Sequence, residues 1–159
     1  MELFKKNWFF FLIIITSFFI DRATKIYVID FFLTQKIENY YLNSFINIVL
    51  IWNTGMAFGL MESDTNFYHF LSALIFCLIV FLLIWLLISK SKFEKISISL
   101  IVGGAFGNFY DRLTYNAVPD FIDLHYLDFH WFVFNVSDII ITSGIILLIF
   151  KDVVLKKNV

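Results

Sequence analysis

The chain has 159 residues, carries 12 Lys and Arg against 13 Asp and Glu for a formal net charge of −1, and is 60% hydrophobic and 21% aromatic. That composition excludes a soluble domain of this length. The single cysteine, Cys77, excludes an internal disulfide.

Taken in chain order, four stretches have the length and apolarity of membrane spans, at about residues 8–29, 67–88, 96–113 and 135–153. The first follows Lys5 and Lys6 as a signal peptide would, yet no small-residue cleavage pattern precedes Asp21, so a retained helix is expected. Between the first two spans, Ile46 to Trp52 is rich in β-branched residues and runs into the turn-forming Asn53-Thr54-Gly55, which predicts a short strand and hairpin. Cys77, inside the second span, is expected as a small core residue. In the third, Gly103 and Gly107 form a GxxxG pair suited to close helix packing. Val118 to Tyr126 alternates imperfectly and is placed to pair with the first strand. The expected fold class is therefore an all-α polytopic membrane protein with four transmembrane helices and a small extracytoplasmic β-containing segment. With no internal repeat and no low-complexity tail, one domain, 1–159, is the economical count.

Lysines orient it. Lys5 and Lys6, then Lys90, Lys92 and Lys95, then Lys151, Lys156 and Lys157 flank the spans on one side. The positive-inside rule makes that side cytoplasmic, with both termini inside. The outer segments, about 30–66 and 114–134, hold Lys36 against Asp30, Glu38, Glu62, Asp64, Asp120, Asp123 and Asp128. Asp123 and Asp128 read as solvated loop acids.

An ionisable side chain inside a span costs about 2.5–3.5 kcal/mol even on lenient insertion scales, so each one marks a candidate site. At about 1.5 Å rise per residue, Asp21, Asp111 and Asp138 all lie roughly 20–24 Å from the cytoplasmic boundary, on three different helices. Helical spacing pairs Asp21 with Lys25, sets Gly104, Asn108, Asp111 and Arg112 along one side of the third span, and sets Asn135, Asp138 and Thr142 along one side of the fourth. Asp21 with Lys25, or Asp111 with Arg112, could be no more than tolerated ion pairs. Asp138 has no basic residue within a turn of it.

Other chemistries lack parts. Ser89 and Lys92 have a suggestive spacing but fall in a cytoplasmic loop. His69, His125 and His130 show no metal-ligand spacing, so no metal is expected, and no glycine-rich phosphate loop occurs. Two nearby carboxyl groups, one protonated and one charged, can activate a water and polarise a peptide carbonyl. That allows a membrane aspartyl hydrolase without choosing among the acid pairs. A proton-coupled transporter or channel is the alternative, although its polar groups would run through the bilayer, whereas these acids gather at one level.

Five ordered segments carry a resemblance: Asp21-Arg-Ala-Thr-Lys25, Asn53-Thr-Gly-Met-Ala-Phe-Gly59, Gly103-Gly-Ala-Phe-Gly-Asn-Phe-Tyr-Asp-Arg112, Val118-Pro-Asp-Phe121 and Phe134-Asn-Val-Ser-Asp138. Together they resemble the motif set of lipoprotein signal peptidase (signal peptidase II), an aspartyl peptidase family, over nearly the whole chain. The resemblance implies Asp120 and Asp138 as a catalytic dyad. It implies that Asn53, Gly55, Asn108, Arg112 and Asn135 bind substrate or position the dyad, with Asp21 and Lys25 supporting the first helix beside the site. It further implies a diacylglyceryl-prolipoprotein substrate cut just before the lipidated cysteine, a bacterial inner-membrane location with the site near the outer face, membrane lipid as surroundings, no cofactor, no metal and no nucleic acid. One chain holds the complete motif set, so a monomer suffices. Two positions depart from the family pattern, Met56 and Ser137, each where alanine is usual. The Ser137 hydroxyl is expected to bond back to a helical carbonyl.

Overall fold

The computed structural model describes residues 2–54, 65–151 and 153, so Gly55 and Met56 lie outside the described residues. Four helices and four strands follow in the order α1 (Glu2–Gln35), β1 (Asn39–Asn43), β2 (Ile46–Asn53), α2 (Thr65–Ile88), α3 (Lys92–Tyr115), β3 (Val118–Tyr126), β4 (Phe129–Phe134) and α4 (Val136–Phe150).

The first helix is longer than its apolar span. No proline or glycine interrupts residues 8–35, so α1 continues to Gln35 and ends where Lys36 takes a φ of 53°. Its 34 residues extend about 51 Å, and the last turns carry Val28 and Phe32 against Phe121 of β3. The sheet is thus seated on the end of the first helix.

Helix α3 is the central element, packed on the other three. Its start is fixed by Ser91, whose side chain accepts from the Glu94 N–H, and its end by Asn116 in the left-handed conformation that asparagine tolerates. Gly103 faces α1, where an added Cβ would lie 2.6 Å from the Ser17 Cβ, and Gly104 faces α4, where it would lie 2.7 Å from the Ser137 carbonyl oxygen. The close packing expected of the GxxxG pair is present, and Gly144 makes the reciprocal approach from α4 to Ser97. Around these contacts sit Ile14, Ile79, Leu86, Ile98 and Val102, all buried.

The four strands form one antiparallel sheet in the order β1-β2-β3-β4. The expected pairing is found, with Ile48 opposite Ile122 and Ile51 opposite Asp120. Two strands were hidden in the sequence. The β1–β2 hairpin turns at 43–46, where the Asn43 side chain accepts from the Phe45 and Ile46 N–H groups, rather than at Asn53. Strand β4 occupies Phe129–Phe134, aromatic residues continuous with the fourth apolar run, and α4 starts only at Val136.

Apolar side chains cover much of the helical exterior, Trp8, Phe9, Phe19, Phe70, Phe76 and Phe81 among them. Cys77 is exposed on α2, which corrects its placement in the core. Among the described residues one helix, Tyr68–Ile88, is long and apolar enough by itself to cross a membrane.

Candidate active site

The junction of α1, α3, α4 and the sheet gathers two groups of ionisable side chains. The deeper group lies between α1 and α3. Lys25 donates to Asp111 Oδ2 at 2.7 Å and lies 2.9 Å from Asp21 Oδ2, and Arg22 reaches Asp111 Oδ1 at 2.6 Å. Asp21, Lys25 and Asp111 are fully buried. The pairing of Asp21 with Lys25 is as spaced, but Asp111 pairs with Arg22 and Lys25 across the helix interface and not with its neighbour Arg112. Arg22 was missed because an i, i+1 neighbour of Asp21 reads as pointing elsewhere, whereas its ion pair with Asp111 across the helix interface and its place over the Tyr110 ring, 5.1 Å from the centroid, hold it inward. A free carboxylate oxygen of Asp21 accepts from the Ser137 N–H at 3.0 Å, tying the cluster to the first turn of α4. Gly107 permits this approach, since a Cβ there would collide with both Asp21 and the Ser137 hydroxyl.

The second group is Asp120 and Asp138. Asp120 sits on β3, 4% exposed, and Asp138 is in the first turn of α4. Asn135 joins them. As the N-cap of α4 its side-chain oxygen accepts from the Asp138 N–H at 3.1 Å, and its own N–H donates to Asp138 Oδ2 at 3.0 Å. With the oxygen so committed, the Asn135 amide nitrogen is turned to Asp120 Oδ1 at 2.6 Å. Asn53, at the end of β2, donates to the other oxygen of Asp120 at 2.9 Å. The cap of a helix therefore sets both carboxyl groups.

Asn108 connects the two groups. The Lys25 ammonium can only donate, so the Asn108 oxygen faces Lys25 at 2.7 Å and its nitrogen must face Asp138 Oδ1, at 2.9 Å. Arg112 lies one turn further along α3, donates to the Asn108 carbonyl at 3.2 Å, and keeps a buried Nε without a hydrogen-bond partner. Its own carbonyl accepts from the Tyr68 hydroxyl at 2.8 Å.

Burial pushes the Asp120 carboxyl up to about 6 from the ordinary 3.8, aided by the negative charge of Asp138 and opposed by the amide bonds from Asn53 and Asn135 and by the Lys25 charge. Beside Asp138 a cavity of about 390 Å³ opens between α4 and the sheet, walled by Leu124, Trp131, Phe132, Phe134 and Ile139. It is apolar except for Asp138, Thr142 and Ser143.

The candidate residues thus divide. Asp120, Asp138, Asn53, Asn108 and Asn135 form one hydrogen-bonded set, Asp21 and Lys25 anchor it from the ion cluster, Arg112 adjoins it, and Gly55 is outside the described residues. Two expectations are corrected. Ser137 lies in the first turn of α4, four residues after Val133 of β4, so it has no helical carbonyl to bond, and its buried hydroxyl has no partner. Asp123 is buried at 4% exposure, not solvated, whereas Asp128 is exposed.

The chain is similar to a bacterial membrane enzyme solved by the in meso method at 2.3 Å resolution, with a TM-score of 0.70 and 27% identity over 94% of this chain and 88% of that one. A second bacterial membrane enzyme, solved by the in meso method at 1.9 Å resolution, gives a TM-score of 0.69 and 26% identity over 91% of this chain and 92% of that one. Fold and likeness together define the class, a helical membrane enzyme with a small antiparallel sheet. Within it, the profile of the Signal peptidase (SPase) II family matches residues 13–154. The lipoprotein signal peptidase of Pelagibacter ubique (strain HTCC1062) is 44% identical over 92% of this chain and 89% of its own length, and that of Francisella tularensis subsp. novicida (strain U112) is 35% identical over 99% of each. The chain belongs to the signal peptidase II family of aspartic peptidases.

Proposed function

We propose that the chain removes signal peptides from diacylglyceryl-modified prolipoproteins by cutting just before the lipidated cysteine, with Asp120 and Asp138 as the catalytic pair. The observation that carries the reading is the set of three hydrogen bonds of Asn135, whose backbone and side-chain oxygen hold Asp138 while its amide nitrogen holds Asp120.

In this reading Asp120 carries the shared proton. Its raised value near 6 fits that role, and substrate that displaces water from the cavity raises it further. Asp138, with an N–H bonded to each oxygen, keeps its remaining lone pairs for a water. Asp138 takes a proton from that water as its oxygen attacks the scissile carbonyl carbon, while Asp120 donates its proton to the carbonyl oxygen. When the tetrahedral intermediate collapses, the C–N bond breaks. The amine leaves with the proton Asp138 took, and the hydroxyl proton returns to Asp120. One water is consumed and the dyad regains its single proton. The uncommitted donors of Arg112 suit a substrate carbonyl, and the apolar cavity suits acyl chain or leucine-like side chains.

The four helices span the bacterial inner membrane, with the termini inside and the site near the outer face. Helix α1 carries Asp21, Arg22 and Lys25, yet those charges are buried against α3 and its exterior is Trp8, Leu12, Ile15, Phe19 and Ile26. Acyl chains held in the lipid would bring the scissile bond to that level. Membrane lipid and substrate are the partners, a monomer suffices, and 1–159 acts as one domain.

Cleavage of a lipidated prolipoprotein in detergent, measured beside ion flux in liposomes, tests the reading. Wild-type chain should cleave and conduct nothing, and Asp120→Asn and Asp138→Asn should each lose at least about 10³-fold in kcat, on the scale of general acid–base catalysis. Flux without cleavage would favour the transporter.

A further inference from the structure

Among the described residues one group of three metal-competent side chains gathers away from the dyad. Asp123 and His125 of β3 and His130 of β4 bring one ligand atom each to within 4.8 Å of one another. His125 and His130 are directly opposite in the strand pairing, their rings stacked at 5.2 Å between centroids, and Asp123 Oδ2 is 2.8 Å from His130 Nδ1. A strand shows alternate residues on one face. The register shifts at Ile48/Ile51 and Asp123/His125 insert their extra residues into β2 and β4, so β3 alternates without interruption. Asp123 and His125 therefore share the face opposite to that of Asp120.

Two further observations point to a ligand. The Nδ1 atom of His125 is buried with no hydrogen-bond partner, and so is the Oδ1 atom of Asn47. Asn47, on β2, lies directly opposite Asp123 in the register. Buried polar atoms are nearly always paired, so these two unpaired atoms beside a His-His-Asp group fit a cation ligand. Three adjacent strands thus supply two imidazoles, one carboxylate and one amide oxygen.

We propose that Asn47, Asp123, His125 and His130 form a binding site for a divalent transition metal of the zinc class, which clamps β2, β3 and β4 together. Mixed nitrogen and oxygen ligands at four positions match the tetrahedral preference of Zn²⁺, whose bonds of about 2.0–2.1 Å place ligand atoms about 3.3 Å apart. His130 is exposed and can close that gap by rotating its ring. The role is structural. Because the ligands face away from Asp120, the ion stiffens the strand that carries the catalytic acid without entering the reaction. Sequence spacing hid the site, since its ligands converge across a hairpin and a neighbouring strand.

The test uses the full chain, purified in detergent and stripped with a chelator. Co²⁺ is titrated as a spectroscopic probe and then displaced by Zn²⁺. The expected result is one equivalent per chain with the strong visible bands of a tetrahedral site, binding weakened at least about tenfold in His125→Gln and in His130→Gln, and no change in His69→Gln. Zn²⁺ should raise the melting temperature of the wild type and leave that of the double variant unmoved. His130 is exposed, so His130→Gln should fold even if His125→Gln does not, and metal-free cleavage should match the wild type. Absence of saturable binding, or Co²⁺ spectra and affinity unchanged by His130→Gln, would overturn the proposal.

Discussion

The α1–α3 ion cluster and the Asp120–Asp138 pair each bring two carboxyl groups out of bulk water, fully in the first and partly at Asp138 in the second, but they are compensated differently. Asp21 and Asp111 have Arg22 and Lys25 between them, so every acid has a permanent cation. Asp120 and Asp138 are held by the amides of Asn53, Asn108 and Asn135, which orient a carboxyl group without cancelling its charge. A cation removes the reason to share a proton, and an amide leaves it. The first arrangement holds helices together, and the second, on the proposed reading, keeps its acids available for proton transfer.

The contrast can be broken at Lys25, with the largest expected effect. Lys25→Met leaves two buried carboxylates to one guanidinium and should cost about 3–5 kcal/mol in detergent unfolding. Adding Asp111→Asn should restore part of it, so that the two changes are strongly non-additive. A Lys25→Met chain as stable as the wild type would mean that the cluster is not an ion-pair anchor.

A smaller effect is expected at the link. Asn108→Ala removes the side chain that, among the described residues, bonds to both groups and should lower kcat by about 10²-fold with KM little changed, since it frees the Asp138 carboxylate to turn. Equal losses in kcat and stability, with normal orientation of Asp138 in a structure of the variant, would speak against the link.

The pH dependence sharpens the comparison further. The fold favours protonated Asp120, so this group's contribution to stability is full below 3.8 and is lost as pH rises through about 6. If Asp120 carries the catalytic proton, the free enzyme loses it around pH 6, and kcat/KM should fall about tenfold per unit above that pH. A flat profile across pH 5–8 would exclude a proton on Asp120. The smallest effect belongs to Ser137, whose buried hydroxyl lacks a partner; Ser137→Ala should stabilise by up to about 1 kcal/mol and leave cleavage unchanged.

Much of this was legible in the chain. Strand β2 showed its β-branched residues and β3 its imperfect alternation, and Asn135 and Asp138 were legible as neighbours on one side of the fourth apolar run, though not as the cap that joins them. Asp21 and Lys25 are one helical turn apart and do pair. Strand β4 was not legible, because Phe129 to Phe134 runs unbroken into α4 and an apolar run does not distinguish a strand from a helix. The depth argument put Asp21, Asp111 and Asp138 at one level but could not tell which acids own cations, since Arg22 meets Asp111 only across the α1–α3 interface. Asp123 read as a loop acid because its burial comes from strands on both sides of it.

Asp120→Asn measured beside Asp111→Asn, for cleavage of a lipidated prolipoprotein and for melting temperature on the same preparations, tests the division of labour most directly. The dyad assignment predicts that Asp120→Asn melts at or above the wild-type temperature at neutral pH and does not cleave. It predicts that Asp111→Asn melts lower and, per folded molecule, cleaves within about tenfold of the wild type. Full residual cleavage by Asp120→Asn would contradict it.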